Sequence, residues 1–310
     1  MRIVEAVRFG PPEVLVPRSA PVPVPGPGEV LVEVVAAPVL LLDTQLRRGW
    51  GREWFPVAPP YTPGAGVAGH VSAAGAGVAA SWVGRPVVAD VLGGYASHVV
   101  VPAAALVPVP AGVPVPDAAA LLHDGRTAIR LLEVHPVRGG DRVLVTGAGG
   151  GLGLLLVQLA HAAGGQVIAA ARDPRKRELA ASLGADVTVD YAGPEWPAEV
   201  GKADLVLDGV GGAIGRAALD LVEPGGGFSA HGGASGAFTP ADRPDVTITG
   251  IETVQLSGAA ATRAVEQALA AAAAGRLRPV VGQTFSLEQA AEAHEALEAR
   301  TAIGKTLLLV

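Results

Sequence analysis

One short polar stretch stands out in a chain that is otherwise mostly apolar. His123, Asp124 and Arg126 lie close together, although only 17% of the 310 residues are charged. A histidine can act as a general acid near neutral pH, and an arginine can bind an anionic substrate. We therefore take His123 as a candidate catalytic residue and Arg126 as a candidate substrate residue. A structural histidine, a solvated arginine and an N-cap role for Asp124 at a helix start are the open alternatives.

A glycine-rich stretch gives the clearest functional signal. Thr146-Gly-Ala-Gly-Gly-Gly-Leu-Gly153 follows a buried strand, Asp141 to Thr146, and opens a helix that runs from Gly153 to Ala163. Glycines allow a tight turn there and let backbone amides approach a pyrophosphate at the helix N-terminus. A second strand, Gln166 to Ala171, follows. This order predicts dinucleotide binding, and the alternative is a glycine loop that serves only close helix packing.

The end of the second strand indicates which dinucleotide is bound. NAD-binding proteins usually carry Asp or Glu there, whereas this chain has Ala171 and then Arg172, with Arg175 and Lys176 about one helical turn later. Arginine can hold a 2′-phosphate through two hydrogen bonds, which favours NADPH over NADH. Asp173 is a complication, but it falls after the strand end. The alternative is a solvated basic helix start, although cations there are unfavourable without an anion to bind.

Composition excludes several other classes of protein. The chain has 23 Lys and Arg against 29 Asp and Glu, and this mild acidity gives no general attraction to nucleic acid or to an anionic membrane. It has no cysteine, so disulfides, thiolate catalysis and cysteine-containing zinc sites are excluded. No metal-ligand spacing is found among the histidines, so we expect no metal. The N-terminal residues do not resemble a signal peptide and apolar runs are short, so we expect a soluble, cytoplasmic protein.

The order of elements predicts an α/β fold with two parts. Residues 1 to about 118 contain short β-branched runs separated by Pro and Gly, which is typical of an antiparallel, barrel-like domain. Strands and helices then alternate, which predicts a doubly wound parallel sheet. A final helix, strand, helix and strand can return to the first part. We expect domains at 1–120 and 121–257, with 258–310 returning to the first domain.

Several motifs resemble those of one family. Thr146 to Gly153, and Leu183-Gly-Ala-Asp with Asp190-Tyr191, are similar to the cofactor domain of zinc-independent medium-chain dehydrogenase/reductases, in particular the quinone oxidoreductase group. Matching pieces lie along the whole chain: Pro27-Gly-Glu-Val-Leu-Val, Asp43-Thr44, Gly94-Tyr-Ala, Gly232-Gly-Ala-Ser-Gly236 and Gly304-Lys-Thr-Leu-Leu-Leu-Val.

This resemblance implies a discontinuous GroES-like catalytic domain, rich in β-strands, and a Rossmann domain, with the cofactor in the cleft between them. It also implies hydride transfer from NADPH to a conjugated carbonyl without polarisation by a metal. Many family members are dimers that join their Rossmann sheets edge to edge. Here that edge would be a strand at residues 246–254.

The resemblance also assigns individual residues to the site. The pyrophosphate loop would comprise Ala148, Gly150, Gly151, Leu152 and Gly153. The 2′-phosphate site would comprise Arg172, Lys176 and Tyr191. The nicotinamide end would be framed by Thr127, Val210, Gly211 and the loop His231, Gly232 to Ser235, and we also assign Lys305 to cofactor binding. Tyr95 and Asp43 would be catalytic residues from the catalytic domain, and the Tyr95 hydroxyl could donate to the carbonyl oxygen of the substrate. Thr127 as a helix cap and Tyr95 as a buried, hydrogen-bonded tyrosine are the alternatives.

Departures from the family pattern concern the substrate. Leu40 stands where the family usually has Asn, Gly66 where it usually has an acidic residue, and His231 where Phe is common. Polar residues that the family usually has at two positions are absent, but His123 and His231 add polar side chains at two others. The site therefore keeps polar groups at different positions. The aromatic residues of the loop from Gly49 to Thr62 either form a lid over the substrate or pack the domain; they are Trp50, Trp54 and Tyr61. His70 lies in an apolar run, where a core histidine is expected.

The sequence therefore predicts an NADPH-dependent reductase of quinones or α,β-unsaturated carbonyl compounds. Within that class, quinone and enoyl reduction remain open. The alternatives are an NADPH-binding protein without catalysis and a tailoring enzyme that uses the same scaffold for a different reaction.

Overall fold

The computed structural model describes residues 1–52, 55–240 and 242–310. It divides the chain into two compact units. Unit 1 comprises Met1–His123 and Leu269–Val310, and unit 2 comprises Asp124–Ala268. None of the helices in the described part of the chain is long and apolar enough to cross a membrane.

The described residues form strands and helices with the following bounds. The strands are β1 Arg2–Ala6, β2 Leu15–Ser19, β3 Glu29–Val39, β4 Gly66–Ala74, β5 Pro86–Asp90, β6 His98–Pro102, β7 Leu106–Pro108, β8 Arg142–Thr146, β9 Gln166–Ala170, β10 Val187–Val189, β11 Ala203–Asp208, β12 Val222–Ala230, β13 Thr247–Gly250, β14 Val281–Ser286 and β15 Lys305–Leu309. The helices are α1 Leu41–Arg47, α2 Val115–Val134, α3 Gly151–Ala162, α4 Pro174–Ser182, α5 Trp196–Val200, α6 Gly212–Asp220, α7 Gly258–Ala273 and α8 Ala290–Glu298.

Unit 1 is built on a seven-stranded sheet in the order β14-β15-β3-β4-β5-β7, with β6 also paired to β3. Val30, Val32 and Val34 of β3 face the buried core, as expected for alternating β-branched residues on one face of a strand. The last strand, β15, pairs antiparallel with β3 from Thr306 opposite Val39 to Leu309 opposite Ala36. The tail of the chain therefore returns to the first unit, and the predicted discontinuity of the β-rich part is confirmed.

Unit 2 is built on a parallel sheet in the order β10-β9-β8-β11-β12-β13. Val143, Leu144 and Val145 of β8 are fully buried, as is typical of a strand covered on both faces. The chain starts in β8, moves outward through β9 and β10, and then crosses to β11 on the other side. This reversal between β8 and β11 is the place where open α/β sheets bind ligands. The predicted doubly wound parallel sheet is confirmed.

Two predicted element boundaries are wrong. Helix α2 runs without a break from Val115 to Val134, so Asp124 and Thr127 are interior residues and neither caps a helix. The predicted strand at 246–254 is shorter, because β13 ends at Gly250 and a 3-10 helix, Ile251–Val254, follows. Glu252 Oε1 accepts a hydrogen bond from the Gly250 amide at 3.1 Å, and such local side-chain bonds turn the chain out of the sheet.

The expectation of a core histidine at position 70 is also wrong. His70 is exposed, whereas its neighbours Gly69 and Val71 in β4 are buried. The alternation of a β-strand places it on the solvent side, which the apolar run around it did not reveal.

The returning strand offers a direct test of how much the tail stabilises unit 1. Leu308 is fully buried and its neighbour Leu309 is 38% exposed. We expect Leu308→Ala to lower the free energy of unfolding by about 3 kcal/mol, through lost apolar burial and a residual cavity. Leu309→Ala is the matched control and should cost less than about 1 kcal/mol. Urea unfolding followed by circular dichroism measures both, and equal losses would contradict the burial pattern.

Candidate functional site

The glycine loop joins β8 to α3 at the carboxyl end of the parallel sheet. Gly147 has a φ of 66°, a left-handed conformation that favours glycine, and a Cβ on Gly153 would lie 2.5 Å from the Gly147 carbonyl oxygen. Gly150 is the N-cap residue of α3, and no side chain in the described part of the chain caps this helix. Its first-turn amides have no acceptor within the helix. The loop therefore fits a pyrophosphate.

The predicted 2′-phosphate residues lie at the ends of β9 and β10 and on α4. The guanidinium carbon of Arg172 is 5.6 Å from the centroid of the Tyr191 ring, and Arg172 is exposed. Lys176 lies so close to the glycine loop that a Cβ on Gly149 would be 2.4 Å from the Lys176 Cβ. Burial lowers the pKa of Lys176. The structure thus packs the aliphatic part of the Lys176 side chain on the glycine loop and leaves Arg172, at the end of the next strand, exposed.

The other two cations of this basic segment have structural partners. Asp173 is the N-cap of α4 and accepts a hydrogen bond from the Arg175 amide at 2.9 Å. Hydrogen bonds from Arg175 lower the pKa of Asp173 to about 2. Arg177 Nη1 donates to the Arg172 carbonyl oxygen at 2.7 Å and pairs with Asp190 at 2.9 Å. The argument that cations at this helix start lack an anion is therefore wrong, because Asp173 supplies one.

A buried carboxylate, which the sequence analysis missed, fixes the strand ends around the loop. Asp208 ends β11 and is fully buried. Its oxygens accept hydrogen bonds from Thr146 Oγ1 at 2.7 Å, Val210 N at 3.0 Å, Gly211 N at 3.1 Å and Thr239 Oγ1 at 2.7 Å. Thr146 ends β8, and Thr239 lies beyond β12. One side chain therefore connects segments that follow three neighbouring strands.

The loop after β12 packs on the loop after β11, as the predicted nicotinamide frame requires. Gly232 N donates to the Asp208 carbonyl oxygen at 2.9 Å, and Ser235 N donates to the Val210 carbonyl oxygen at 2.8 Å. A Cβ on Gly211 would lie 2.9 Å from the Gly232 carbonyl oxygen. The backbones of Val210, Gly211 and Gly232 are thus brought together. The Ser235 side chain is exposed, whereas the last member of this frame, His231, is buried at the strand end.

Unit 1 contains a second buried polar group, which we call the α1–α8 cluster: Asp43, Arg47, Tyr95, His294 and Glu298. Tyr95 Oη lies 3.2 Å from Asp43 Oδ2 and 2.9 Å from His294 Nε2. Arg47 Nη1 lies 3.5 Å from His294 Nδ1, and Arg47 forms an ion pair with Glu298. Arg47, Tyr95 and His294 are fully buried. The cluster joins helix α1 to helix α8, from the two ends of the chain.

The donor and acceptor roles in this cluster follow from Arg47. A guanidinium group can only donate, so His294 Nδ1 accepts and His294 Nε2 carries the proton. Tyr95 Oη then accepts from His294 and donates to Asp43. Burial and the nearby Arg47 charge lower the pKa of His294 to about 3, which keeps the imidazole neutral. Burial raises the pKa of Asp43 to about 6, although hydrogen bonds from Leu40 N and Tyr95 oppose this change.

The remaining predicted residues of unit 1 differ in exposure. The Tyr61 hydroxyl oxygen is buried, with no hydrogen-bond partner among the described residues, and its ring packs against a core that includes Tyr95. This placement favours packing over a lid role for Tyr61. Trp50 is 43% exposed, and Leu40 is half-buried directly before α1. Trp54 lies outside the described residues. Lys305 is buried at the start of β15, and its charge lowers the pKa of Asp43.

Family models match both parts of the chain. A model described as an alcohol dehydrogenase GroES-like domain matches residues 26–111, and one described as a zinc-binding dehydrogenase matches residues 183–308. A quinone oxidoreductase of Pseudomonas aeruginosa is 34% identical over 99% of this chain and 98% of its own length. A 2-haloacrylate reductase of a Burkholderia species is 31% identical, over 97% of this chain and 96% of its own.

Solved structures agree with these relatives. The Escherichia coli quinone oxidoreductase complexed with NADPH superposes with a TM-score of 0.90 at 27% identity, covering 100% of both chains. This chain belongs to the quinone oxidoreductase group of the medium-chain dehydrogenase/reductases. No group of three or more His, Asp or Glu side chains that could hold a metal ion is found among the residues that the structure describes.

Within this family, the structure explains one departure from the usual pattern. A Cβ on Gly66 would lie 2.4 Å from Leu122 Cδ2 and 2.9 Å from His123 Nε2. The imidazole of His123 therefore fills the space that any side chain at position 66 would need. A side chain at position 66 would therefore require both Leu122 and His123 to move. Arg126 is half-buried one turn further along α2, and its side chain belongs to unit 2.

The raised pKa of Asp43 predicts a pH dependence of stability with an unusual sign. Because the folded pKa of about 6 exceeds the ordinary 3.8, the folded state binds this proton more tightly. The contribution to stability is therefore present at low pH and is lost as pH rises through 6. Between pH 5 and 8, the free energy of unfolding of the wild-type protein should fall by about 1 kcal/mol because of Asp43. We expect this fall to be absent in Asp43→Asn.

Asp245→Asn is the matched control, and it should keep the wild-type loss between pH 5 and 8 because Asp245 titrates below that range. Its hydrogen bonds with Arg243 lower the Asp245 pKa to about 2, so any stabilisation is present above pH 4 and is lost on acidification. Urea unfolding of the three proteins at both pH values measures the difference. If the free energy of unfolding depends on pH in the same way in the wild-type protein and in Asp43→Asn, the raised pKa of Asp43 is contradicted.

Proposed function

We propose that this protein is an NADPH-dependent reductase that transfers hydride to a quinone or an α,β-unsaturated carbonyl compound. The observation that carries the proposal is the uncapped N-terminus of α3 behind a glycine loop, with Lys176 packed on that loop and Arg172 exposed beside it. This set of groups suits a pyrophosphate and a 2′-phosphate. The NADPH named in the structure of the Escherichia coli relative supports the same cofactor.

The proposed cofactor contacts divide the work between backbone and side chains. Amides of Gly151, Leu152 and Gly153 would hold the pyrophosphate, and Arg172 with Lys176 would hold the 2′-phosphate. The backbone after β11 and β12 would position the nicotinamide, together with Thr127 of α2. When bound, NADPH supplies the hydride. Because orientation of a hydride donor against its acceptor accounts for much of such catalysis, rigid strand ends are what the reaction needs from this unit.

Proton delivery is the second requirement. A quinone can take its protons from water, whereas an enone needs one proton at the α-carbon or the oxygen after hydride reaches the β-carbon. We propose that His123 is the general acid that donates this proton. Tyr95 and Asp43 bond to each other inside the α1–α8 cluster, which supports a positioning role for both. The apolar Leu40 and Trp50 would suit an uncharged ring, and Arg126 would suit an anionic substituent.

We also propose a homodimer formed through β13 and a location in the cytoplasm. β13 is the last strand of its sheet, so its outer edge has backbone groups open to another strand. Its short length, Thr247–Gly250, limits such pairing to few hydrogen bonds.

Turnover is the first experiment. Steady NADPH oxidation with 9,10-phenanthrenequinone or a simple 2-enone would support the reductase. Tight NADPH binding with no turnover on a panel of electrophiles would favour a non-catalytic NADPH-binding protein. A reaction that requires bound NADPH but does not oxidise it would indicate a different chemistry on the same scaffold.

The cofactor assignment predicts a selective loss. The double variant Arg172→Ala/Lys176→Ala should raise the KM for NADPH by about 100-fold or more, since each of the two lost charge-assisted bonds is worth about 1.5–3 kcal/mol. The KM for NADH should change little, because NADH has no 2′-phosphate. Arg175→Ala is the matched control, since Arg175 pairs with Asp173. Equal effects of the double variant on both cofactors would refute the assignment.

A further inference from the structure

The two carboxylate oxygens of Asp208 hold different segments of unit 2. Oδ1 accepts hydrogen bonds from Thr146 Oγ1 at 2.7 Å and from the Val210 amide at 3.0 Å, so it joins the end of β8 to the loop after β11. The Thr146 hydroxyl in turn accepts from the Gly209 amide at 3.1 Å. Oδ2 accepts from Thr239 Oγ1 at 2.7 Å. The bond from Thr239 therefore ties a segment beyond β12 to the two central strand ends.

This segment, residues 231–239, is called the strap here. It lies on the loop after β11, and its Ala237 carbonyl oxygen is so close to Gly211 that a Cβ on Gly211 would overlap it. Thr239 ends the strap and is only 5% exposed. Its hydroxyl donates to a carboxylate, and hydrogen bonds to charged groups are the stronger kind. Thr239 therefore anchors the far end of the strap in the interior of unit 2.

Helix α6 leaves space for this bond at one position. A Cβ on Gly215 would overlap both Thr239 Oγ1 and Asp208 Oδ2. Gly215 lies inside α6, where glycine makes a helix less stable than alanine does. The glycine thus weakens its own helix and admits a buried hydroxyl beside a buried carboxylate.

The proposed function gives the bond a task. The backbone after β11 and β12 would position the nicotinamide of NADPH, and the strap is the part of that backbone that follows β12. Connecting segments are more mobile than the strands they leave, unless other groups hold them. Misplacement of a reacting group by about 1 Å can cost about 100-fold in rate. A hydride donor on this edge therefore needs the strap to be fixed.

We propose that Thr239, through its hydrogen bond to Asp208, is a positioning residue for hydride transfer. It holds the strap on the loop after β11 and so restricts the motion of the nicotinamide ring. The inference rests on the proposed function. The proposed phosphate contacts, Arg172 and Lys176, serve the other end of the cofactor, so affinity for the phosphates should not depend on Thr239.

The first test measures the motion of the bound ring and needs no turnover. Thr239→Val removes the hydroxyl, and Thr239→Ser keeps it. Because the nicotinamide of NADPH is fluorescent, time-resolved anisotropy reports its local motion in the complex. We expect faster motion in Thr239→Val and wild-type motion in Thr239→Ser. Affinity for 2′,5′-ADP, which has the 2′-phosphate but no nicotinamide, should change less than about twofold, since its contacts remain.

The second test measures hydride transfer with 9,10-phenanthrenequinone as acceptor. Thr239→Val should lower kcat about tenfold, because the donor is less well oriented. The primary isotope effect with NADPH deuterated at C4 should rise, because the hydride step becomes slower than the other steps. Thr188→Val is the matched control, at a half-buried threonine in β10 on the far edge of the sheet, and should change neither value.

A second variant breaks the same bond with both polar groups retained. Gly215→Ala fills the space between Thr239 and Asp208, so it should reproduce the faster ring motion and the larger isotope effect of Thr239→Val. This variant also carries the test if Thr239→Val does not fold.

The outcomes separate this role from a purely structural one. Wild-type ring motion and an unchanged isotope effect in Thr239→Val and Gly215→Ala would overturn the proposal, even if both variants unfold at lower urea concentration. Affinity for 2′,5′-ADP that falls as much as kcat would overturn it too, since the whole cofactor edge would then be disturbed. Wild-type protein that binds NADPH but oxidises it with no acceptor would refute the proposed reductase, and the anisotropy would still decide the role of Thr239.

Discussion

The buried carboxylate of Asp208 is the interaction on which the cofactor unit depends. Parallel strands bring their carboxyl ends to one edge, but the loops that leave those ends have no reason of their own to stay together. Asp208 accepts hydrogen bonds from the end of β8, from its own following loop and from the loop beyond β12. Burying a carboxylate is costly unless its oxygens are satisfied, and here four neighbouring donors satisfy them.

The glycines around this carboxylate follow from the same constraint. The segments that hydrogen-bond to Asp208 approach each other so closely that a side chain on either backbone would clash. A Cβ on Gly215 would lie 2.3 Å from Asp208 Oδ2, and one on Gly232 would lie 2.1 Å from the Gly209 carbonyl oxygen. The glycines of the pyrophosphate loop serve the ligand, whereas these serve the carboxylate. Together they leave rigid backbone and few side chains at the edge where a cofactor would lie.

Unit 1 uses a buried polar group in another way. The α1–α8 cluster joins a helix near the start of the chain to a helix near its end, through a series of hydrogen bonds that runs from Arg47 through His294 and Tyr95 to Asp43. The direction of these bonds fixes the tautomer of His294 and makes the Tyr95 hydroxyl the donor to Asp43. Removal of one member would leave the others buried without a partner, which is why such groups tend to be fully satisfied or absent.

Much of the fold could be predicted, because periodicity and turn residues are local signals. The parallel sheet, the glycine loop and the basic residues after β9 could all be inferred from neighbours in sequence. The roles of single polar residues were harder to infer. Asp208 ends a buried strand, and a carboxylate at such a strand end is a weak local signal of a functional position. His294 gave no local signal at all, since its partners Tyr95 and Arg47 lie about 200 residues or more away.

The sequence by itself determined the class of fold, the type of cofactor site and the family, because each depends on residues close together in the chain. Only the tertiary structure decided which polar groups are satisfied inside the protein and which remain open. It placed Asp124 inside a continuous helix, paired Arg175 with Asp173, moved His70 to the surface and fitted His123 into the space left by Gly66. These outcomes depend on distances between segments far apart in sequence, and no pattern of neighbouring residues encodes them.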